Sequence, residues 1–331
     1  MKKIKIAQIG ISEYSHGGEI FSALKENTSS FEIVGYALPE NEREKFPNKL
    51  SILDPYREMT VEEILSDPEI EAVAVETEEI YLTKYALMAA RAGKHLHMEK
   101  PGGLDVESFR ELVGILKEKN LVFSVGYMYR FNPMIKKAFD KIKNGDLGEI
   151  YSVEAHMDCL HTEKARQWMS GLPGGMTFFL GCHLIDLIYR IQGEPCEVVP
   201  LNASTGFGGV SALDCGMVAF RYKNGVSFAK ASACEVGGFR RRQLVICGEK
   251  GTIEIKPLEA YDDIGLHTVY HDCFDTTCIN FWSESNSGKF DRYAEMIENL
   301  ALMVRGKENP YSYDYELGLY ELILRACGSK A

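Results

Sequence analysis

The sequence predicts an α/β domain built on a parallel sheet, followed by an α+β domain with an open, largely antiparallel sheet. Strand-like apolar runs alternate with helix-spaced segments through the first part of the chain, as crossovers between parallel strands require. After about residue 148 this gives way to longer strands joined by short turns around one apolar helix. At 331 residues and 45% hydrophobic, the chain can build two cores.

Taken in order, residues 3–9 are a buried strand that Gly10 ends with a turn. A helix follows over about His16 to Lys25, and Phe31 to Ala37 is a second strand. Thr60-Val-Glu-Glu63 is a capping box that opens a short helix, which Asp67-Pro68 ends. Glu71 to Thr77 is the next strand, and Tyr81 to Ala92 has helical spacing closed by Gly93. His95 to Met98 is a short strand, Asp105 caps an amphipathic helix to about Lys119, and Leu121 to Gly126 returns as a strand. The boundary is placed at 125/126. Beyond it come a strand at Glu149 to Met157, an apolar helix at Gly175 to Ile191, tight turns at Lys223-Asn224-Gly225 and Gly248-Glu-Lys-Gly251, and a last helix over about Asp314 to Cys327.

A formal net charge of -11 repels phosphate backbones and anionic membrane surfaces, and no run of five Lys/Arg residues makes a local exception. Nucleic acid and membrane are therefore not expected as partners, and a small molecule is. The apolar run at the N-terminus is too short for a signal peptide and no stretch of eighteen apolar residues occurs, so a cytoplasmic protein is expected. All nine cysteines lie at or beyond Cys159 with irregular spacing, the pattern of reduced thiols. His271, Cys273 and Cys278 form the one tight group, but the spacing fits no zinc pattern and no metal is expected.

A parallel sheet binds ligands at the carboxyl ends of its strands. A pyrophosphate would then sit on the first turn, Gly10-Ile-Ser-Glu-Tyr-Ser-His-Gly17, against a helix N-terminus. Gly10 matches the first glycine of a GxGxxG fingerprint, while Ser12 and Ser15 stand at the other two glycine positions. On this reading Gly10 adopts a backbone closed to residues with side chains, and the serines line a phosphate-sized hollow. The alternative is an ordinary strand-to-helix turn. Glu99-Lys-Pro-Gly-Gly103 follows the short strand and lies at the same edge, where a lysine can reach a nicotinamide face and hydrogen-bond a substrate hydroxyl or carbonyl.

The order of motifs resembles the Gfo/Idh/MocA oxidoreductase family over nearly the full length. The matching pieces are the first turn, the Thr77 strand end, Glu99-Lys-Pro101, Arg130-Phe-Asn-Pro133, Asp146-Leu-Gly-Glu-Ile-Tyr151, and Gly174-Gly through Gly181-Cys-His-Leu-Ile-Asp186. The resemblance implies a Rossmann-type domain over 1–125 that binds NAD or NADP. It also implies a substrate-binding and oligomerisation domain over 126–331, whose sheet mediates homodimers or homotetramers. Lys100 and His183 would be the catalytic pair, facing one another across a cleft. Cofactor contacts are implied for Gly10, Ser12, Ser15, Leu38, Thr77 and Glu99, and substrate contacts for Tyr127, Arg130 and Trp168.

Other candidates stay open. His161 matches no family motif and is either a substrate ligand or part of a surface loop. Asp186, three residues after His183 on the same helical face, orients the imidazole, contacts substrate or forms a helix-surface salt bridge. Arg240-Arg-Arg242 reads as a solvated edge or dimer rim, with an anion site as the alternative. Met217 to Phe220, four apolar residues in a row, put apolar side chains on both faces of the second sheet, one for the Gly175 to Ile191 helix and one for a partner subunit.

The chain departs from the family at three places. Where the family carries an aspartate four residues before the histidine, Phe179 stands, and a phenyl ring moves no proton. Leu38 replaces the residue that reads the ribose, leaving NAD against NADP undecided. Glu78 and Glu79 replace Pro and Asn and either set two negative charges where a dinucleotide should pass or point to solvent. Two functions follow: an NAD(P)-dependent oxidoreductase acting on a sugar, cyclitol or related polyhydroxylated molecule, or a non-catalytic sensor or regulatory relative that keeps the fold.

Overall fold

The computed structural model describes residues 2–277, 279 and 281–329. The chain divides into two compact units, Met1–Met128 with Arg292–Tyr320, and Tyr129–Asp291 with Glu321–Ala331. A single cut at 125/126 therefore leaves out a return of the chain: residues 292–320 rejoin the first unit. That segment carries the helix Ala294–Val304, which the sequence reading did not anticipate, and most of the helix Tyr313–Ala326.

The first unit is an alternating α/β layer. Strands β1 (Ile4–Ile9), β2 (Phe31–Ala37), β3 (Ala72–Val75), β4 (His95–Met98) and β5 (Phe123–Val125) form one sheet in the order β2-β1-β3-β4-β5. All neighbours are parallel. β3 is buried at every residue, as a strand covered on both faces must be. Between the strands run α1 (Gly17–Glu26), the single turn α2 (Glu42–Lys45), α3 (Val61–Ser66), α4 (Leu82–Arg91) and α5 (Val106–Glu118). Their starts follow local chemistry: Thr60 and Glu63 form the reciprocal capping box of α3, and the Asp105 carboxylate accepts the N–H groups of Glu107 and Ser108 in α5. α5 turns Phe109, Leu112, Val113 and Leu116 inward at helical spacing, and Phe109 stacks on Tyr320 with ring centroids 4.1 Å apart.

The second unit opens with α6 (Pro133–Lys143), whose Asn132 cap accepts from Met134 and Ile135 and whose proline stands in the first turn. Next come β6 (Ile150–Asp158), α7 (Glu163–Met169), a π-helical turn at Thr177–Gly181, and α8 (Cys182–Gln192). Strands β7 (Glu197–Ala203), β8 (Cys215–Tyr222), β9 (Gly225–Ser232), β10 (Gln243–Gly248) and β11 (Thr252–Ile255) follow. The last four are β12 (Ala260–Asp262), β13 (Gly265–His267), β14 (Val269–Cys273) and β15 (Ser283–Asn286). Eight strands make one sheet in the order β15-β14-β11-β10-β6-β9-β8-β7, in which β6 and β9 are the parallel pair among antiparallel neighbours. One face packs under α8 through β6 and β9 and under the π-helical turn through β8 and β9, with Val153, Ala155, Val218, Phe220 and Ala229 all buried. On β7, β8 and β9 the other face leaves Leu201, Met217 and Val226 exposed.

Candidate functional site

The carboxyl edge of the first sheet is built around the turn after β1. Gly10 has φ +93, and a Cβ there would lie 2.5 Å from the Thr77 nitrogen, so only glycine lets this turn close on the end of β3. Gln8, buried in β1, braces the turn by donating to the carbonyls of Gly10 (2.9 Å) and Gly17 (3.0 Å). Ser12 and Ser15 are buried. Their hydroxyls work within the chain: Ser15 Oγ lies 3.1 Å from the Glu76 carbonyl and accepts from Gly17 N–H, while Ser12 Oγ accepts from Tyr14 N–H. The serines thus knit the turn to itself and to β3. His16, at the N-cap of α1, gives that helix no side-chain bond, and its Nδ1 lies 3.3 Å from Glu99.

Four carboxyl groups crowd this edge, three of them unforeseen as functional. Glu42 is fully buried; one oxygen accepts the Ile11 N–H at 2.8 Å and the other has no hydrogen-bond partner. Glu76 and Glu79 are fully buried with neither oxygen hydrogen-bonded, and Glu76 stands 3.5 Å from His97 Nε2. Glu99 pairs with His16 and, at 3.4 Å, with Lys100 Nζ, which has no solvent exposure.

A buried carboxylate without donors is disfavoured against its neutral acid. Burial accordingly pushes Glu42 to about 8 and Glu79 to about 7, and raises Glu76 well above the carboxylate range. Glu99 goes the other way. Burial opposes its charge, but His16 and Lys100 outweigh it and hold the group ionised.

This corrects the expectation of two free negative charges after Thr77. Glu78 is paired with Lys45 at 3.0 Å, and Glu79 turns inward and carries a proton for much of the neutral range. Thr77 itself is buried against Gly10. Leu38 packs against the cluster of Ile11, Phe21, Tyr36 and Leu53 and also lines a cavity of about 460 Å³ at the end of β2, with Pro39, Met59, Lys84 and Tyr85.

Tyr127 is buried at the end of the first unit. In the second unit, α8 presents His183 and Asp186. His183 is buried, edge-on to Tyr129 with centroids 5.2 Å apart. Asp186 is bound to Arg130, whose Nε lies 3.1 and 3.0 Å from the two carboxylate oxygens and whose Nη2 lies 2.7 Å from Oδ1. The salt bridge anticipated on the helix surface is therefore a buried one that ties α8 to the segment before α6.

Phe179, on the π-helical turn, packs edge-on to Trp168 at 5.3 Å and tilted to His161 at 5.9 Å. His161 is half-buried with no hydrogen bond to Nε2, and burial followed by the Arg242 charge lowers its pKa. Arg240 and Arg241 are exposed, but Arg242 is not a solvated edge. It is buried, 3.3 Å from both the Tyr129 hydroxyl and Glu259, under the ring of Phe239. Of the group around His271, Cys278 lies outside the described residues, and His271 pairs with Glu254 and Glu284.

Residues 4–127 match the family described as "Oxidoreductase family, NAD-binding Rossmann fold", and residues 135–254 match the "GFO/IDH/MocA C-terminal domain". The chain belongs to the Gfo/Idh/MocA family. The family model over its first part is one of NAD-binding oxidoreductases. A 1,5-anhydro-D-fructose reductase of Ensifer adhaerens is 28% identical over 50% of this chain and 51% of its own length. An NADP-dependent scyllo-inositol 2-dehydrogenase of Bacillus subtilis is 26% identical over 60% and 55%. The chain spans about half the length of the curated relatives it matches. A solved 3-ketoreductase of Actinomadura kijaniata, in complex with NADP, shares the fold with TM-score 0.79 at 17% identity, covering 97% of this chain and 96% of its own.

The first unit suits the family's dinucleotide. A glycine that admits no Cβ and a ten-residue helix without a side-chain cap meet at one strand edge. Gln8, Glu42 and Glu76 escaped the sequence reading because each acts through contacts far along the chain. Arg242 escaped it because the two arginines before it are solvated.

The Arg130–Asp186 pair separates a scaffold role from a substrate role. Asp186→Asn leaves a buried guanidinium without its counter-charge and should lower unfolding stability by about 3–5 kcal/mol, measured by denaturant titration. An unchanged midpoint would return both residues to the list of substrate ligands.

Proposed function

We propose that this protein transfers a hydride between a nicotinamide dinucleotide and a hydroxyl-bearing carbon of a sugar, cyclitol or related polyhydroxylated molecule. The observation that carries it is Lys100, an ammonium without solvent exposure at the carboxyl edge of a parallel sheet, held by the ionised Glu99. The dinucleotide, when bound, supplies or accepts the hydride. Lys100 then donates a hydrogen bond to the reacting oxygen, which favours the alkoxide-like charge that develops there. His183 is assigned as general acid and base, with Tyr129 against its ring. Gly10, Ser12, Ser15, Leu38, Thr77 and Glu99 are assigned to the cofactor, and Tyr127, Arg130, His161, Trp168 and Asp186 to the substrate or its immediate frame. The names of the reductase and inositol dehydrogenase relatives support a polyol substrate.

One observation favours a second reading, a sensor or regulatory protein. Phe179 stands where the family has its aspartate, packs against Trp168 and His161, and its phenyl ring moves no proton. We place the protein in the cytoplasm, where its described thiols stay reduced. We also propose a homodimer or homotetramer formed through the outer face of the second sheet, where Leu201, Met217 and Val226 are exposed.

Inositols, aldoses and their acids, offered with NAD(H) and NADP(H), test the enzyme reading. Lys100→Ala should lower kcat/KM about a hundredfold with folding intact. Lys100→Arg should not rescue it, because a planar guanidinium is larger than the ammonium and does not fit its fully buried place. Tight dinucleotide binding without turnover on the whole panel would favour the sensor. Sedimentation at micromolar concentration should show a dimer or larger species; a clean monomer would remove the oligomer from this account.

A further inference from the structure

The acids at the carboxyl edge pose a problem for the proposed function, because a dinucleotide brings a doubly charged diphosphate to the first turn. Like charges a few ångströms apart at a partly buried site repel by on the order of a few kcal/mol. Glu76 is fully buried without hydrogen bonds but lies 3.5 Å from His97 Nε2, which leaves two acids with no imidazole beside them. Glu79 is fully buried with no hydrogen bond to either oxygen, at the end of the strand whose Thr77 touches Gly10. Glu42 is fully buried with one oxygen on the Ile11 N–H of the first turn and the other without a partner. Glu79 thus has no hydrogen-bond partner and Glu42 has one for two oxygens, too little to offset burial of an anion.

Resting on the reading that a nicotinamide dinucleotide seats at the first turn, we propose that Glu42 and Glu79 serve it as neutral carboxylic acids, so that a proton at each is part of the cofactor site. In that form the acids add no charge, and an O–H is available to donate where a carboxylate could only repel. The groups facing Glu42 are the carboxylates of Glu40 and Glu78 and the ammonium of Lys45. Those around Glu79 are Lys100, Glu99, Glu78 and the buried Glu76. Lys45 pairs with Glu78 and Lys100 with Glu99; their charges also act on Glu42 and Glu79, and burial outweighs them.

The direction follows from the raised values. With Glu79 at about 7 and Glu42 at about 8, both acids are mainly neutral below the lower value and ionised above the higher. Dinucleotide affinity should be greatest on the acid side and fall as pH rises through that window. Where the acids have begun to ionise, binding should take up protons.

The test titrates the full chain with NADH and with NADPH between about pH 6.5 and 9, by nicotinamide fluorescence, with calorimetry in buffers of different ionisation enthalpy to count protons. For the tighter dinucleotide, Kd should weaken by roughly tenfold or more across the range, with proton uptake near the upper end. Glu79→Gln and Glu42→Gln keep the shape of the neutral acid, so each should bind at least as tightly as wild type at high pH and flatten the profile.

A flat wild-type profile without proton uptake overturns the inference and leaves the proposed function standing. So does a glutamine variant that keeps the full pH dependence or loses affinity at every pH. No binding of either dinucleotide at any pH removes the function and the inference together. If one variant does not fold, the other variant and the wild-type proton count still decide.

Discussion

The first turn meets the end of β3 with no space for a side chain at residue 10, and the carboxyl edge is organised by that contact. Gln8 holds the turn from beneath through two carbonyls, and Ser15 fastens it to the Glu76 carbonyl. Because the turn lies so close to β3, the residues that continue that strand are buried beside it instead of solvated. Glu76 and Glu79 are thereby removed from water, and Glu42 is drawn over the turn from the other side. One steric condition at a glycine thus sets the electrostatics of the whole edge.

Within that edge the acids divide by their partners. Glu99 has His16 and Lys100 beside it and stays ionised, which keeps a counter-charge on the lysine proposed to meet substrate. Glu42, Glu76 and Glu79 lack such donors and shift toward the neutral acid. Groups pushed apart in this way within a few residues mark functional sites more often than scaffolding. In the second unit the charges are closed into pairs instead. Arg130 with Asp186, and Arg166 with Asp214, are buried ion pairs that fix the segments on either side of the π-helical turn carrying Phe179.

What could be read from the sequence is what short spacings determine. The strands of the parallel sheet, the capping box at Thr60 and Glu63 and the cap at Asp105 depend on neighbours within a few residues, and the structure has them where the pattern put them. The family motifs likewise located Lys100 at the strand edge and His183 on its helix. α6 carries its local signal in Asn132-Pro133, a cap followed by a first-turn proline. The return of residues 292–320 to the first unit left no local mark. Glu42 could not have been found by position, since it reaches a turn 31 residues earlier by folding back over it. Charge alone is not enough either: Glu79 reads as an anion, and burial raises it to about 7.

The account turns on the first turn being the seat of the dinucleotide diphosphate. A crystal structure of the protein grown with NADH or NADPH measures that position directly. The diphosphate should lie over residues 10–17 at the N-terminus of α1, with the nicotinamide ring beside Lys100. A dinucleotide bound in the crystal away from residues 10–17, or with its nicotinamide remote from Lys100, would contradict the account.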